Sequence, residues 1–93
     1  MYTGIVHGAY PLSGLTEEPG LRRFVMALPE VLRDGLEIGA SVGLNGVCMT
    51  VTRIENDRVH FDAMQETLSL TTLGQLAVGD LVNVERSAKQ GAE

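Results

Sequence analysis

A short stretch in the middle of the sequence concentrates side chains that could do chemistry. They are Ser41, Cys48 and Thr50, followed by His60, Asp62 and Met64. Each lies between or beside apolar residues, and successive side chains of a β-strand point to opposite faces of a sheet. Read as strands, these stretches put the reactive groups on one outward face. A thiol and two hydroxyls on one face could hydrogen-bond a ligand or take part in nucleophilic or acid–base chemistry.

Other site chemistries find less support in the same residues. A cysteine–histidine nucleophile would use Cys48 and His60, yet nothing in their spacing requires it. One cysteine, two histidines and scattered carboxylates show no recognised metal-ligand spacing, so no metal site is expected. The phosphate-binding patterns G-x-x-x-x-G-K-[ST] and G-x-G-x-x-G do not occur. The alternative is that these residues have only structural roles: the cysteine is a small buried residue, the threonine is favoured by its strand, and the histidine is solvated at the surface.

Length and composition limit what these residues can belong to. A chain of 93 residues holds one small domain. Its net charge of −5 argues against nucleic acid and against a polybasic membrane contact. A single cysteine allows no internal disulfide, and no signal-peptide pattern or long apolar run is seen, so we expect a cytoplasmic protein.

The elements that must position the reactive residues form a three-stranded meander. Asn45-Gly46 between two alternating runs predicts a tight hairpin from Ser41–Leu44 to Val47–Ile54, because both turn residues tolerate positive φ. A second turn at residues 55–57 leads into Arg58–Ala63. The residues predicted to face the interior are Val47, Met49, Val51, Val59, Phe61 and Ala63.

The rest of the chain adds further strands and little helix. These segments are a strand from Thr3 that ends at Pro11, turns at 13–14 and 17–20, a strand Arg22–Leu28, a helical turn within Pro29–Asp34, an ambiguous segment Gln65–Gly74 that can hold a second helical turn, and a last strand Leu81–Arg86. Residues 36–44 and 76–84 also match as L-x-[IV]-G-x-x-V-x-[LV], which predicts two strands that enter the sheet in the same way.

About six short strands predict an all-β fold, a closed antiparallel barrel with one or two short helical turns, because closure removes exposed sheet edges. A split-barrel α+β domain is the alternative. We assign residues 1–86 to the single barrel and residues 87–93 to a polar C-terminal tail.

Four groups of residues carry a resemblance to a known family. They are Met1–Val6, then Gly39–Val42 with Asn45–Thr52, then Phe61–Leu68 with Thr72–Gly74, and finally Gly79–Arg86. In this order and at these spacings they resemble the N-terminal lumazine-binding barrel of riboflavin synthase of the alpha-chain type. The similarity covers essentially the whole chain.

The resemblance implies a six-stranded Greek-key barrel and a transferase activity. The family enzyme converts two molecules of 6,7-dimethyl-8-ribityllumazine into riboflavin and a ribitylaminopyrimidinedione, without metal or separate cofactor, and it contains two such barrels. One barrel is therefore expected to bind lumazine or riboflavin, to pair with a second copy as a homodimer, and to show weak or no turnover.

The resemblance also assigns site residues by position. Ser41 and Cys48 are implied to act near the reacting ring, and the main chain around residues 62–64 to contact its pyrimidine edge. The residues implied to bind the ligand are Gly4, Ile5, Val6, Thr50, Asp62, Ala63, Met64 and Thr67.

Two other functions compete with this interpretation. A lumazine or flavin carrier would bind the same ligand without turnover, but a carrier has no need of a thiol beside the ring. A small oligonucleotide-binding barrel is the other, and the net charge of −5 together with only two Tyr and two Phe disfavours it.

Overall fold

The computed structural model describes residues 5–64 and 72–87. The elements are β1 (Ile5–Glu18), β2 (Leu21–Ala27), α1 (Glu30–Arg33), β3 (Ser41–Leu44), β4 (Val47–Glu55), β5 (Arg58–Met64), a 3-10 turn (Thr72–Gln75) and β6 (Leu81–Ser87). The predicted ambiguous segment Gln65–Gly74 does contain a helical turn, which runs one residue past Gly74, while residues 65–71 lie outside the described part. Of the predicted polar tail, Ser87 belongs to β6 and residues 88–93 are outside the described part.

The six strands close into a barrel in the order β1-β2-β5-β4-β3-β6. Every pairing is antiparallel. The chain crosses from β2 to β3 without pairing these two strands, and β6 returns to lie between β1 and β3, which is a Greek-key arrangement. The predicted all-β closed barrel with short helical turns is confirmed.

The barrel interior is filled by the inward-facing residues of the strands, together with apolar residues from the two helical turns. β2 and β5 alternate buried and less buried positions, and Phe24 lies opposite Phe61 where the two strands pair. Of the predicted interior set, all are buried except the half-buried Val47. Among the described residues, the core consists of Leu12, Phe24, Met26, Leu28, Leu32, Val42, Leu44, Met49, Val51, Val59, Phe61, Ala63, Leu73, Val82 and Val84.

The first strand differs from the sequence prediction. We expected it to end at Pro11 with a turn at Ser13-Gly14, but β1 continues to Glu18. The pairing register shifts between Leu12 and Gly14, and at this bulge the strand changes partner, from β6 up to Pro11 to β2 beyond it. Because proline cannot donate a main-chain hydrogen bond, it is tolerated where one ladder ends and another begins.

The repeated sequence pattern corresponds to a repeated structure. Gly39 and Gly79 have φ angles of 95° and 96°, which L side chains rarely adopt. Each donates a hydrogen bond across the sheet, Gly39 to the carbonyl of Val51 and Gly79 to that of Leu12, both at a distance of 2.8–2.9 Å. The next residue of each repeat accepts the return bond, from Val51 N–H to Ala40 O and from Leu12 N–H to Asp80 O. The prediction that two strands enter the sheet in the same way is confirmed.

The symmetry extends beyond these turns to whole strands. β3, β4 and β5 are arranged like β6, β1 and β2, and β4 has a register shift between Val51 and Arg53 that matches the one in β1. The residues inside the two shifts both use their hydroxyls: Ser13 Oγ accepts from Ala27 N–H and Thr52 Oγ1 donates to His60 O. The barrel is thus two similar three-stranded halves.

Candidate functional site

The predicted thiol and hydroxyl groups lie together on the outer face of the β3–β4 hairpin. Ser41 is the register partner of Thr50, and Gly43 is the partner of Cys48. All three side chains are exposed, while Val42, Leu44 and Met49 between them point into the core. The hairpin closes through Asn45 and Gly46, both with positive φ (51° and 82°), as the turn chemistry requires.

Gly43 leaves the centre of this face without a side chain. It stands on the outer side of β3, between Cys48 on β4 and Glu85 on β6. A Cβ at Gly43 would lie 3.5 Å from the carbonyl of Glu85, an ordinary contact, so the glycine is not forced by crowding within the barrel. Its effect is to leave the outer surface of the main chain bare beside the thiol. A flat ring could lie against such a surface.

Asp62 extends the face toward β2, but its carboxylate is already engaged. Thr50 and Asp62 flank the paired residues Val51 and Phe61 on the outer side of the barrel, so they lie close along the β4–β5 seam. Both carboxylate oxygens accept hydrogen bonds from Arg23, from Nε at 2.8 Å and from Nη2 at 3.2 Å. This hydrogen bonding, then the charge of Asp62, raises the pKa of Arg23. Asp62 is thereby held in one orientation.

The neighbours of Asp62 in β5 differ in what they can offer a ligand. Met64 is 63% exposed and its side chain is free to contact one. Ala63 is only 1% exposed and its methyl group points into the core, so any contact by Ala63 must use its main chain.

The first strand approaches the same face from the other side. Ile5 and Val6 pair with Ser87 and Arg86 of β6, and β6 separates β1 from β3. One strand therefore lies between these residues and Ser41. Gly4 and Thr67, the two other predicted ligand contacts, lie outside the described residues.

His60 lies away from the thiol. It is the register partner of Arg53, five residues along β4 from Cys48, or roughly 16 Å at the usual rise of a strand. Its side chain is 15% exposed, and Nε2 is 3.6 Å from Glu55 Oε1. The distance therefore excludes Cys48 and His60 as a nucleophile and its base.

Within 5–64 and 72–87 no group of three or more His, Cys, Asp or Glu side chains could hold a metal ion. Over the same ranges no helix is long and apolar enough to cross a membrane.

Sequence reasoning missed Arg23 and Gly43 as parts of this face. Gly43 could have been found, because the alternation in Ser41–Leu44 places it outward. Arg23 could not, since its link to Asp62 depends on the pairing of β2 with β5, which are far apart in sequence.

The sequence is similar to proteins that carry this domain. A family model described as "Lumazine binding domain" matches residues 3–87. Riboflavin synthase of Escherichia coli (strain K12) is 55% identical over 89 residues, which are 96% of this chain and 42% of that protein. The blue fluorescence protein of Aliivibrio fischeri is 40% identical over 86 residues, 92% of this chain and 41% of that protein. The chain thus spans about two fifths of the length of these relatives.

Solved structures show the same fold with ligands bound. A crystal structure of LumP complexed with 6,7-dimethyl-8-(1'-D-ribityl) lumazine matches with a TM-score of 0.82 and 31% identity, over 100% of this chain and 51% of that one. LumP complexed with flavin mononucleotide matches with a TM-score of 0.81 and 33% identity, over 99% of this chain and 51% of that one.

Proposed function

The chain belongs to the lumazine-binding domain family, and from this premise we propose that it is the N-terminal lumazine-binding half of a riboflavin synthase. The observation that carries the proposal is the outer face of β3 and β4, where a thiol and two hydroxyls stand in register around a bare glycine. The 55% identity to a riboflavin synthase over 96% of this chain supports it.

The proposed ligand is 6,7-dimethyl-8-ribityllumazine or riboflavin, with its ring over Gly43. The hydroxyls of Ser41 and Thr50 can donate to and accept from the heteroatoms of the ring system. The main chain around residues 62–64 contacts the pyrimidine edge, and Asp62, fixed by Arg23, borders that edge. Ile5 and Val6 approach from β1, with Gly4 and Thr67 completing the proposed contacts.

The proposed reaction is the dismutation of two lumazines, in which one molecule transfers a four-carbon unit to the other. It requires addition of a nucleophile at C7 of one lumazine and loss of a proton from the C7 methyl group of its partner. Ser41 and Cys48 are the proposed catalytic residues because their hydroxyl and thiol are exposed at the ring position. No metal or separate cofactor is included in the proposal.

A single barrel provides one proposed ligand-binding face, whereas the dismutation needs two lumazine molecules. We therefore expect weak or no turnover from this chain, and a homodimer in which a second copy covers the exposed face, since small barrels gain stability from a partner surface. A cytoplasmic location belongs to the same proposal and is supported by the exposed free thiol of Cys48, which a reducing compartment preserves.

A carrier without turnover is the second candidate. It is favoured by the match to LumP, whose structures hold lumazine, riboflavin or flavin mononucleotide. The exposed thiol favours the synthase instead, because simple binding of the ring does not need a nucleophile.

One set of measurements separates the candidates. The purified protein is titrated with 6,7-dimethyl-8-ribityllumazine and with riboflavin while ligand fluorescence is followed, and riboflavin formation from lumazine is then assayed. The synthase half binds both compounds and forms riboflavin slowly, with turnover reduced in a Cys48→Ser variant. Binding with turnover that does not depend on Cys48 or Ser41 refutes their catalytic role. Binding without any turnover identifies a chain that only binds, which both the carrier and a synthase half acting alone allow, and no binding of either compound contradicts both. Sedimentation in the same buffer distinguishes dimer from monomer.

A further inference from the structure

We propose that Glu85 makes the outer face of β3 and β4 selective for uncharged ligands, so that this face binds a free flavin or lumazine in preference to a phosphorylated one. The proposal rests on the proposed function, which places the ring of the ligand over Gly43 beside Cys48. It adds the charge of the ligand to the properties that this face distinguishes. Glu85 is not one of the residues assigned to the site from the sequence.

Glu85 lies directly beside the bare centre of this face. It is an exposed residue of β6 and the register partner of Gly43, which also pairs with Cys48. A Cβ built at Gly43 would lie 3.6 Å from the Cβ of Glu85, so the two residues project on the same outer side of the barrel. Because neighbouring strands are about 4.8 Å apart, the main chains at Glu85 and Cys48 are roughly 10 Å apart across β3. A flat ring over Gly43 therefore has the thiol on one side and this carboxylate on the other.

The negative charge of Glu85 is not balanced within the described part of the protein. None of the ion pairs formed among residues 5–64 and 72–87 involves its carboxylate. The next residue, Arg86, donates from Nη1 to the carbonyls of Leu32 and Asp34. A ligand on this face therefore meets a full negative charge at its β6 side.

The opposite side of the face carries an arginine whose charge is already balanced. Arg23 donates to both carboxylate oxygens of Asp62, and its Nη1 lies 4.0 Å from Glu18 Oε2. Arg23 is the one arginine or lysine among the described residues of the face and their register partners. A phosphate group is commonly bound by arginine or lysine side chains that can pair with it. A phosphorylated ligand is therefore repelled by Glu85 without a comparable attraction from the other side.

Riboflavin and flavin mononucleotide provide the comparison that isolates this effect. They share one ring system and differ by a terminal phosphate, which carries close to two negative charges at about pH 8. LumP, whose fold this chain shares, has been crystallised with each of them. The contacts of the ring cancel in the ratio of the Kd for flavin mononucleotide to the Kd for riboflavin. This ratio therefore reports how the face responds to the charge of the ligand.

The experiment measures both Kd values by flavin fluorescence in the full 93-residue chain, in Glu85→Gln and in Glu85→Lys. The titrations are run at about pH 8, where histidine side chains are ordinarily uncharged, because His7 is the register partner of Glu85 in β1. At an ionic strength of about 0.05 M, charges roughly 10 Å apart are only partly screened, so the parent should bind riboflavin about three- to tenfold more tightly than flavin mononucleotide.

The ratio should follow the charge at position 85. Glu85→Gln removes the repulsion and should lower the ratio at least about threefold, and Glu85→Lys replaces it by an attraction and should lower the ratio further. Raising the ionic strength to about 0.5 M should shrink the difference between the parent and both variants, because salt screens the interaction. The side chain of Glu85 is exposed, so both variants should fold, as circular dichroism can verify.

Asp57 provides a matched control for the net charge of the chain. It is exposed in the turn between β4 and β5, beyond Glu55, which is itself seven residues along β4 from Cys48, or roughly 23 Å at the usual rise of a strand. Asp57→Asn and Asp57→Lys change the net charge by the same amounts as the two Glu85 variants. At about 0.05 M ionic strength this distance exceeds the screening length, so the Asp57 variants should keep the ratio of the parent.

Three results would overturn the proposal. They are a folded Glu85→Lys variant with the ratio of the parent, Asp57 variants that lower the ratio as much as the Glu85 variants do, and a parent chain that binds both flavins equally at low salt. Each of these leaves the proposed function standing if riboflavin is bound. A parent chain that binds neither flavin nor 6,7-dimethyl-8-ribityllumazine contradicts the proposed function itself, and the selectivity of the face is then refuted with it.

Discussion

The two halves of the barrel share a backbone but not an outer surface. In one half, Ser41 on β3 faces Thr50 on β4; at the matching place in the other half, Leu81 on β6 faces Pro11 on β1. One step further along, the pair Gly43 and Cys48 corresponds to Asn83 and Ala9. The glycine turns, the bulges and the inward residues are common to both halves, whereas at these outer positions the hydroxyl and thiol groups stand on one half only.

The seam between β2 and β5 shows the same contrast. Arg23 is paired with Asp62 at the end of the seam near the candidate site. The symmetry between the two halves relates this pair to Arg58 and Ala27 at the other end of the seam. There the residue opposite the arginine is an alanine and has no carboxylate. The repeated features build the barrel, and we propose that the unrepeated outer residues provide the chemistry of the site.

The largest expected effect comes from breaking the seam where the two halves meet. Phe61 is fully buried opposite Phe24, so Phe61→Ala should lower the free energy of unfolding by about 3–5 kcal/mol. That is comparable to the whole stability of a small domain, so the variant should be largely unfolded. Urea unfolding monitored by circular dichroism measures it. A loss below about 1 kcal/mol would mean that the halves do not depend on this contact.

The repeated glycine turns should respond alike. Gly39 and Gly79 both have φ near 95° and an added Cβ would meet nothing within 4 Å, so alanine costs conformational energy alone. Each Gly→Ala variant should lose about 1–2 kcal/mol of unfolding free energy, equal within error for the two turns. Gly43→Ala, without positive φ, is the control and should change stability by less than about 0.5 kcal/mol. Unequal losses at Gly39 and Gly79 would break the proposed equivalence.

Exchanging the outer residues of the two halves tests the assignment of the site. Ser41→Leu removes a hydroxyl and adds bulk at the proposed ring position, so riboflavin affinity should fall at least about tenfold, the loss of roughly one hydrogen bond. Leu81→Ser makes the opposite change at the matching place and should leave affinity unaltered. Fluorescence titration measures both. Equal losses in the two variants would show that the halves do not differ in the way described.

The smallest effect is expected at the half-buried pair Arg23 and Asp62. Asp62→Ala makes this end of the seam resemble the Arg58–Ala27 end, with a small loss of riboflavin affinity and little change in stability, since an ion pair that is open to solvent on one side contributes little. Asp62 raises the pKa of Arg23, so the ion pair stabilises the folded state fully at any pH below the pKa that Arg23 has in the unfolded chain. This stabilisation is lost only as the pH rises through the pKa of Arg23 in the folded protein. Titration of Arg23 should therefore give no pH dependence of binding between about pH 6 and 9. A dependence there that vanishes in Arg23→Gln would contradict this.

The parts of the fold that sequence could predict are the local ones. The Asn45-Gly46 turn fixed the register of Ser41 and Thr50, and alternation placed Phe61 in the core and Asp62 outside. These features depend on neighbours in sequence, for which side-chain period and turn chemistry are sufficient.

The parts that could not be predicted depend on distant strands. β1 passes Pro11 because a bulge at Ser13 exchanges one partner strand for another. Arg22 resembles a solvated strand end in sequence, yet it is buried because the 3-10 turn, some fifty residues later, supplies its carbonyl partners. His60 shares the outward parity of Asp62 in β5, but its register partner Arg53 lies five residues along β4 from Cys48.

We propose that the ligand lies on the outer face of β3 and β4 and not on the matching face of β6 and β1. Titrating isotope-labelled protein with 6,7-dimethyl-8-ribityllumazine while recording amide chemical shifts tests it most directly. The largest shifts are expected at Ser41, Gly43, Cys48 and Thr50, with small shifts at Leu81, Asn83, Ala9 and their neighbours. Equal shifts on both faces, or larger ones on β6 and β1, would contradict it.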